Sequence, residues 1–280
     1  MSARVSDPPA LPPARPVELP AGTVLLRELP GPPGAPALVM LHGWTATADL
    51  NFFRVYGDLA EHFRVLAFDQ RGHGSGIRTR APFRLEDCAD DVVTMADAIG
   101  LDRFVALGYS MGGAVAQLLW RRHPERVAGL VLVATAAHFN IRRANRFGLT
   151  GLAAAARLTP EQVHRWVTSQ LYLQRKTDSW DAWAAQQAAA HSWRMVAEAG
   201  RALGRFRSDE WLGEIDVPTA VVVTMNDEVV PLARQIKLFE AIPDAEAFRI
   251  DGGHDAAVAQ PTRFIREVIR ATSSGGSVSR

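Results

Sequence analysis

A chain of 280 residues, 48% hydrophobic and 22% charged, has the make-up of a globular protein and not of a disordered, collagen-like or coiled-coil one. Lys plus Arg number 31 and Asp plus Glu 30, so the net charge of +1 leaves no electrostatic footprint for nucleic acid. The single cysteine, Cys88, excludes an internal disulfide and any clustered Cys/His zinc pattern, which points to a metal-free protein of a reducing, cytoplasmic setting.

No run reaches the roughly 18–20 apolar residues of a membrane span, and Arg4 with the prolines after it lacks the apolar stretch of a secretion signal. Residues 1–16 read as a disordered, proline-rich tail, and the Ser/Gly-rich 273–280 as a frayed end. Short apolar runs bounded by Gly, Pro or Asp then predict strands over 17–19, 23–28, 37–41, 64–68, 104–108 and 128–134. Between the 64–68 and 104–108 runs, Leu85, Cys88, Val92, Met95, Ala96 and Ile99 draw one apolar stripe, with Gly100 where a C-terminal glycine cap belongs. Cys88 lies on that stripe as a small core residue. A second helix is predicted over 112–123, stopping before Pro124.

The alternation of strand and helix breaks over 139–212. That stretch holds five of the seven tryptophans (Trp166, Trp180, Trp183, Trp193 and Trp211) and carries eleven basic against six acidic residues. A helical cap inserted between strands fits it, leaving 17–138 and 213–272 as the core. The tryptophans suit an apolar acyl chain and the arginines an anionic group; packing and a solvated helix face are the plainer explanation of both. Strands resume over 220–224 and 247–250, with helices after Pro231 and over 261–271. Runs such as Val221-Val222-Val223 are apolar on consecutive positions, as strands covered on both faces must be. The fold class is α/β, a mostly parallel sheet with right-handed crossovers.

The strongest chemical signal is Gly108-Tyr109-Ser110-Met111-Gly112-Gly113, set directly between a strand and a helix. A nucleophilic serine there sits on a sharp turn, and Gly108, Gly112 and Gly113 remove the Cβ atoms that would collide with neighbouring backbone. The helix that follows turns its positive N-terminal end toward a developing oxyanion. A serine hydroxyl needs a base. His254, in Gly252-Gly253-His254-Asp255 just past the last strand, lies at the carboxyl edge where open α/β sheets hold their ligands. His42 and His73 follow strands but belong to a different loop and a tight turn. His62, His123, His138, His164 and His191 fall on helices or connections.

The carboxylate that would orient the imidazole lies in Asn226-Asp227-Glu228 after the 220–224 strand. Asp227 is the better placed and Glu228 the alternative. The order Ser110, Asp227, His254 is the one expected of this architecture. Two backbone amides complete an oxyanion hole, those of Met111 and of Trp44 in His42-Gly43-Trp44. Loss of one such donor costs about 3–4 kcal/mol in the transition state. Trp44, Tyr109 and Trp166 are candidates for the substrate pocket; the Trp44 side chain either lines it or only packs.

These motifs, with Asp69-Gln70-Arg71-Gly72-His73-Gly74, span roughly residues 23–270 and together resemble the α/β-hydrolase superfamily of serine hydrolases. The resemblance implies about eight strands with a helical cap after the sixth. Ser110 stands where haloalkane dehalogenases and soluble epoxide hydrolases use aspartate. Trp44-Thr45-Ala46-Thr47 replaces both the Gly-Pro-Gly of carbon–carbon bond hydrolases and the His-Gly-Gly-Gly of many lipases. What remains resembles the esterase, thioesterase and cofactor-free peroxidase-like branch. The implied activity is cleavage of a small-molecule ester or thioester without a cofactor. A slow-turnover ligand-binding or signalling member and an acyltransferase are the alternatives.

Overall fold

The computed structural model describes residues 9–139 and 181–274. Among them, eight strands form one sheet: β1 (Ala14–Leu19), β2 (Gly22–Leu29), β3 (Ala37–Leu41), β4 (Arg64–Ala67), β5 (Phe104–Tyr109), β6 (Val127–Val133), β7 (Thr219–Thr224) and β8 (Glu246–Ile250). Their order across the sheet is β1-β2-β4-β3-β5-β6-β7-β8. β2 is antiparallel to both β1 and β4, and every pair from β4 to β8 is parallel. The chain steps outward from β3 to β4 and then returns to β5 on the other side. This reversal opens a crevice at the carboxyl ends of β3 and β5.

Alternation along each buried strand splits the core into two layers. Leu38, Met40, Val105, Leu107, Val131 and Val133 face one side, packing with Phe52, Leu59, Phe264 and Val268. Val39, Leu41, Ala106, Leu132 and Val221 face the other, against Val92, Met95, Val115 and Leu119. The first layer is covered by α1 (Ala48–Phe52), α2 (Tyr56–Ala60), α8 (Ala256–Ala259) and α9 (Pro261–Ser274). The second is covered by α3 (Leu85–Ala98), α4 (Met111–Arg122) and α7 (Leu232–Ala241). Cys88 is buried on α3, and burial pushes its thiol far up, so it is a core residue and not a reactive one.

Gly100 ends α3 as expected. At φ +65° its N–H reaches Asp97 O while that of Leu101 reaches Ala96 O, the two-bond closure of a Schellman turn. Three features differ from the sequence expectation. β1 begins already at Ala14, inside the expected 1–16 tail, because Ala14, Arg15 and Pro16 pair with Arg27, Leu26 and Leu25 along an edge where a proline is tolerated; residues 1–8 of that expected tail lie outside the described residues. The short helices α1, α2 and α8 have no counterpart among the predicted elements. Ser273 and Ser274 extend α9 into the expected frayed end.

The described part of the expected cap is helical, α5 (Asp181–Ala189) and α6 (Trp193–Leu203), apart from an isolated bridge between His138 and Arg207. Trp166 and Trp180 lie outside the described residues. Among the described residues, no helix is long and apolar enough to cross a membrane, and no group of three or more His, Cys, Asp or Glu side chains could hold a metal ion.

Candidate active site

Ser110 follows β5 with φ +55° and ψ −114°, a conformation that costs a non-glycine residue about 1–3 kcal/mol. Its backbone is pinned on both sides. The Ser110 N–H donates to Val133 O at 2.9 Å, and the Ser110 carbonyl accepts from Gly113 N–H at 2.9 Å and Thr135 Oγ1 at 2.8 Å. The flanking glycines permit this closeness. A Cβ on Gly112 would run into the carbonyl oxygens of Leu41 and His42, and one on Gly113 into the Thr135 side chain.

His254 and Asp227 come from loops after β8 and β7 that are zipped together beyond the sheet. Met225 N–H donates to Ile250 O and Asn226 N–H to Gly252 O, each at 3.0 Å. His254 Nε2 then lies 2.9 Å from Ser110 Oγ, and His254 Nδ1 lies 2.8 Å from Asp227 Oδ2. The Asp227 carboxylate is wholly enclosed and fully bonded. Oδ1 accepts the N–H groups of Val229 and Val230 at 2.8 Å, and Oδ2 accepts Thr224 Oγ1 at 2.7 Å as well as His254. Burial alone would push this carboxyl up; the bonds and the charge of His254 outweigh it and hold it below the usual carboxylate range. An ionised carboxylate only accepts, so Nδ1 of His254 carries hydrogen and Nε2 is left to accept from the serine hydroxyl. Glu228, the alternative carboxylate, is exposed on the cavity wall.

The loop after β3 is fixed residue by residue. Gly43 N–H donates to Asn51 Oδ1 at 2.7 Å, and Gly43 O lies 2.8 Å from His42 Nδ1. Gln70 N–H donates to His42 Nε2 at 2.8 Å, so the hydrogen of this ring sits on Nδ1 and points at Gly43 O. A planar trans peptide then sets the Trp44 N–H on the opposite edge. Neither that N–H nor the Met111 N–H has an acceptor among the described residues. Asp69 ties the loop down further, taking Ala48 N–H and Ser75 N–H at 2.8 Å. Burial keeps the His42 ring neutral by lowering its pKa.

A cavity of about 550 Å³ opens over Ser110 and His254, walled by Trp44, Leu50, Phe53 and Trp183. The Trp44 side chain lines the cavity, and its Nε1–H donates to Val196 O on α6 at 2.7 Å. Tyr109 also reaches the wall, but its hydroxyl donates to His254 O at 2.7 Å and braces the histidine loop. Of the cap tryptophans, Trp183 faces the cavity, edge-on to Phe53 at 5.3 Å. Trp211 instead stacks on Trp120 at 6.2 Å. Among the described residues no lysine or arginine lines the cavity, and Arg194 is paired with Glu198. Asn51, Thr224, Tyr109 and Trp183 act on the site without having been singled out for those contacts; only Thr47, a threonine caught as the N-cap of α1 by Leu50 N–H, left a readable trace nearby.

A serine–imidazole–carboxylate line at the carboxyl edge of a β1-β2-β4-β3-β5-β6-β7-β8 sheet defines a class of α/β protein. The chain belongs to the α/β-hydrolase fold family, whose model matches residues 36–259. A relative from Variovorax paradoxus, named "Putative carbamate hydrolase RutD", is 31% identical over 254 residues, covering 86% of this chain and 93% of its own. The poly(3-hydroxyalkanoate) depolymerase of Ectopseudomonas oleovorans is 29% identical over 252 residues, covering 86% and 85%. The enol-lactonase from Burkholderia xenovorans LB400 superposes with a TM-score of 0.79 at 22% identity, over 93% of this chain and all of that one, a likeness of fold.

Proposed function

We propose that this protein is a serine hydrolase that cleaves a carboxylic ester or thioester through an acyl-enzyme on Ser110. The observation that carries the reading is the unbroken hydrogen-bond line from Asp227 through His254 to Ser110 Oγ, at 2.8 and 2.9 Å, on the wall of a cavity. Ser110 Oγ attacks the acyl carbon as its proton passes to His254 Nε2, and Asp227 stabilises the imidazolium. The tetrahedral oxyanion is held by the N–H groups of Met111 and Trp44 and by the N-terminus of α4. His254 returns the proton to the leaving alcohol or thiol as the acyl–oxygen or acyl–sulfur bond breaks. Water, deprotonated by the same imidazole, then releases the acid and restores the serine.

The relatives agree with attack at an acyl carbon. Poly(3-hydroxyalkanoate), in the name of the Ectopseudomonas protein, is linked by carboxylic esters, and a carbamate also presents an acyl carbon. Trp44, Phe53 and Trp183 on the cavity wall suit an apolar acyl group.

A fluorophosphonate probe with mass mapping of the adduct tests the nucleophile. It is expected on Ser110 and absent from Ser110→Ala, which should fold normally and lose turnover. Near-normal ester hydrolysis by Ser110→Ala would overturn the reading. A panel of p-nitrophenyl esters from acetate to laurate, with a thioester and a carbamate, tests the substrate; equal rates along the chain-length series would remove the apolar acyl group.

A further inference from the structure

Among the described residues, hydrogen bonds tie the loop bearing Trp44 to the cap segment. Trp44 Nε1–H donates to Val196 O at 2.7 Å, Thr47 Oγ1 to Gln187 Oε1 at 3.2 Å, and His191 Nε2 lies 3.2 Å from Thr45 O. His191 occupies the turn between α5 and α6 and is 7% exposed. Gly74 N–H donates to its Nδ1 at 2.8 Å, which places the ring hydrogen on Nε2, aimed at Thr45 O. The turn itself is seated on the core by Ser192 N–H donating to Gly72 O at 2.8 Å.

Thr45 needs such a clamp. It stands at φ +61°, a left-handed conformation that costs a β-branched residue about 1–2 kcal/mol. It also follows directly on Trp44, so a rotation that relieves Thr45 swings the Trp44–Thr45 peptide and through it shifts the Trp44 backbone. The Trp44 backbone is held from the core through His42 and Gly43, and from the cap segment by His191 at Thr45 O and, through the indole, by Val196.

We propose that His191 is a positioning residue for catalysis: through Thr45 it adds, from the cap segment, a second hold on the Trp44 amide at the oxyanion beside the one His42 and Gly43 give from the core. The inference rests on the reading of Trp44 N–H as an oxyanion donor. His191 touches no reacting atom, and its effect falls on the transition state, where a small misplacement of a donor costs far more than it does in the ground state.

Three variants separate this role from a merely structural one. His191→Ala lowers kcat about 10- to 100-fold with KM within about threefold, and weakens an aryl boronic acid, whose serine adduct is tetrahedral, by the same factor as kcat. His191→Gln reaches the former Nε2 position and can donate to Thr45 O, so it recovers most of kcat and of boronate affinity. His191→Asn reaches only the Nδ1 position, keeps the Gly74 acceptor and recovers melting temperature but not kcat.

Equal recovery by Gln and Asn, or a kcat that follows melting temperature across the variants, would overturn the positioning role; so would unchanged boronate affinity in His191→Ala. If His191→Ala does not fold, the Gln and Asn pair decides alone. Wild-type protein that fails to label at Ser110 brings down the hydrolase reading and this inference together. Wild type that labels and turns over, with variants indifferent to His191, brings down only the inference.

Discussion

Thr224 and Asp227, three residues apart where β7 ends, are joined by a 2.7 Å hydrogen bond from the threonine hydroxyl to the carboxylate oxygen that also faces His254. The same hydroxyl accepts from Gln235 Nε2 at 3.0 Å, and Gln235 donates again to Val230 O at 2.8 Å. One buried amide on α7 thus braces the whole acid loop. Thr224→Val keeps the shape and removes the bond. Unfolding free energy in urea should fall by about 1.5–3 kcal/mol, the usual worth of a buried hydrogen bond to a charged group. Thr224→Ser should stay near wild type in ester hydrolysis while Thr224→Val slows, because only the serine keeps the carboxylate oriented.

The neighbouring carboxylates Asp227 and Glu228 make opposite predictions. Asp227→Asn puts an amide where an acceptor is needed, and the imidazole turns to the tautomer with hydrogen on Nε2, facing Ser110. By the behaviour of Ser-His-Asp triads in general, kcat should drop about 10⁴-fold. Glu228→Gln alters an exposed side chain on the cavity wall that does not bond to His254, so kcat should stay within about threefold of wild type and any effect should fall on KM. A large kcat loss in Glu228→Gln with little in Asp227→Asn would exchange the two assignments.

Gly112 tests the elbow as a packing device. An added methyl meets the carbonyl oxygens of Leu41 and His42, so β3 and α4 must separate for it to fit. Gly112→Ala should lose about 3 kcal/mol in chemical denaturation, at the high end for overpacking because backbone atoms are the obstacle. Its residual activity should be lower still, since the displaced strand carries the loop with Trp44. Gly213→Ala, where a Cβ meets nothing within 4 Å, is the neutral comparison.

What the sequence disclosed and what it hid divide along physical lines. The parallel strands were readable because consecutive apolar positions are demanded of strands covered on both faces, and Ser110, Asp227 and His254 because each sits where a strand ends in a polar turn. α1 and α2, at five residues each, are too short to show a 3.6-residue period. His191 had no local signal at all: its partners Gly74 and Thr45 lie 117 and 146 residues away. The extent of β1 was likewise settled by its partner strand, and the prolines before it suggested only a tail.

Three buried histidines make the stability of the fold depend on pH. The His42 and His73 rings lie 5.2 Å apart and those of His73 and His191 5.4 Å apart, in a row between the Trp44 loop and the cap. Burial is the main cause holding each of them neutral. For His73 the neighbouring histidines add to it, and for His191 the result is a pKa of about 4, against the partial counterweight of Thr45 O and Asp69. In the unfolded chain each titrates near 6.5. The folded pKa lies below the unfolded one, so the unfolded state takes up more protons between the two, and the stability they contribute is fully present above about pH 6.5 and lost as pH falls. For His191 alone the loss by pH 4 is about 3 kcal/mol. The Asp227 carboxyl, also depressed, releases its share only below about pH 4, and the shifted carboxyls of Glu28 and Asp91 act alike in wild type and in His191→Gln, so the difference between the two proteins isolates His191. Urea unfolding of wild type should therefore weaken steadily from pH 7 to pH 4.5, and His191→Gln, which does not titrate there, should show a shallower slope over that interval. Parallel slopes for the two proteins would mean that His191 binds its proton in the folded state as readily as in the unfolded one.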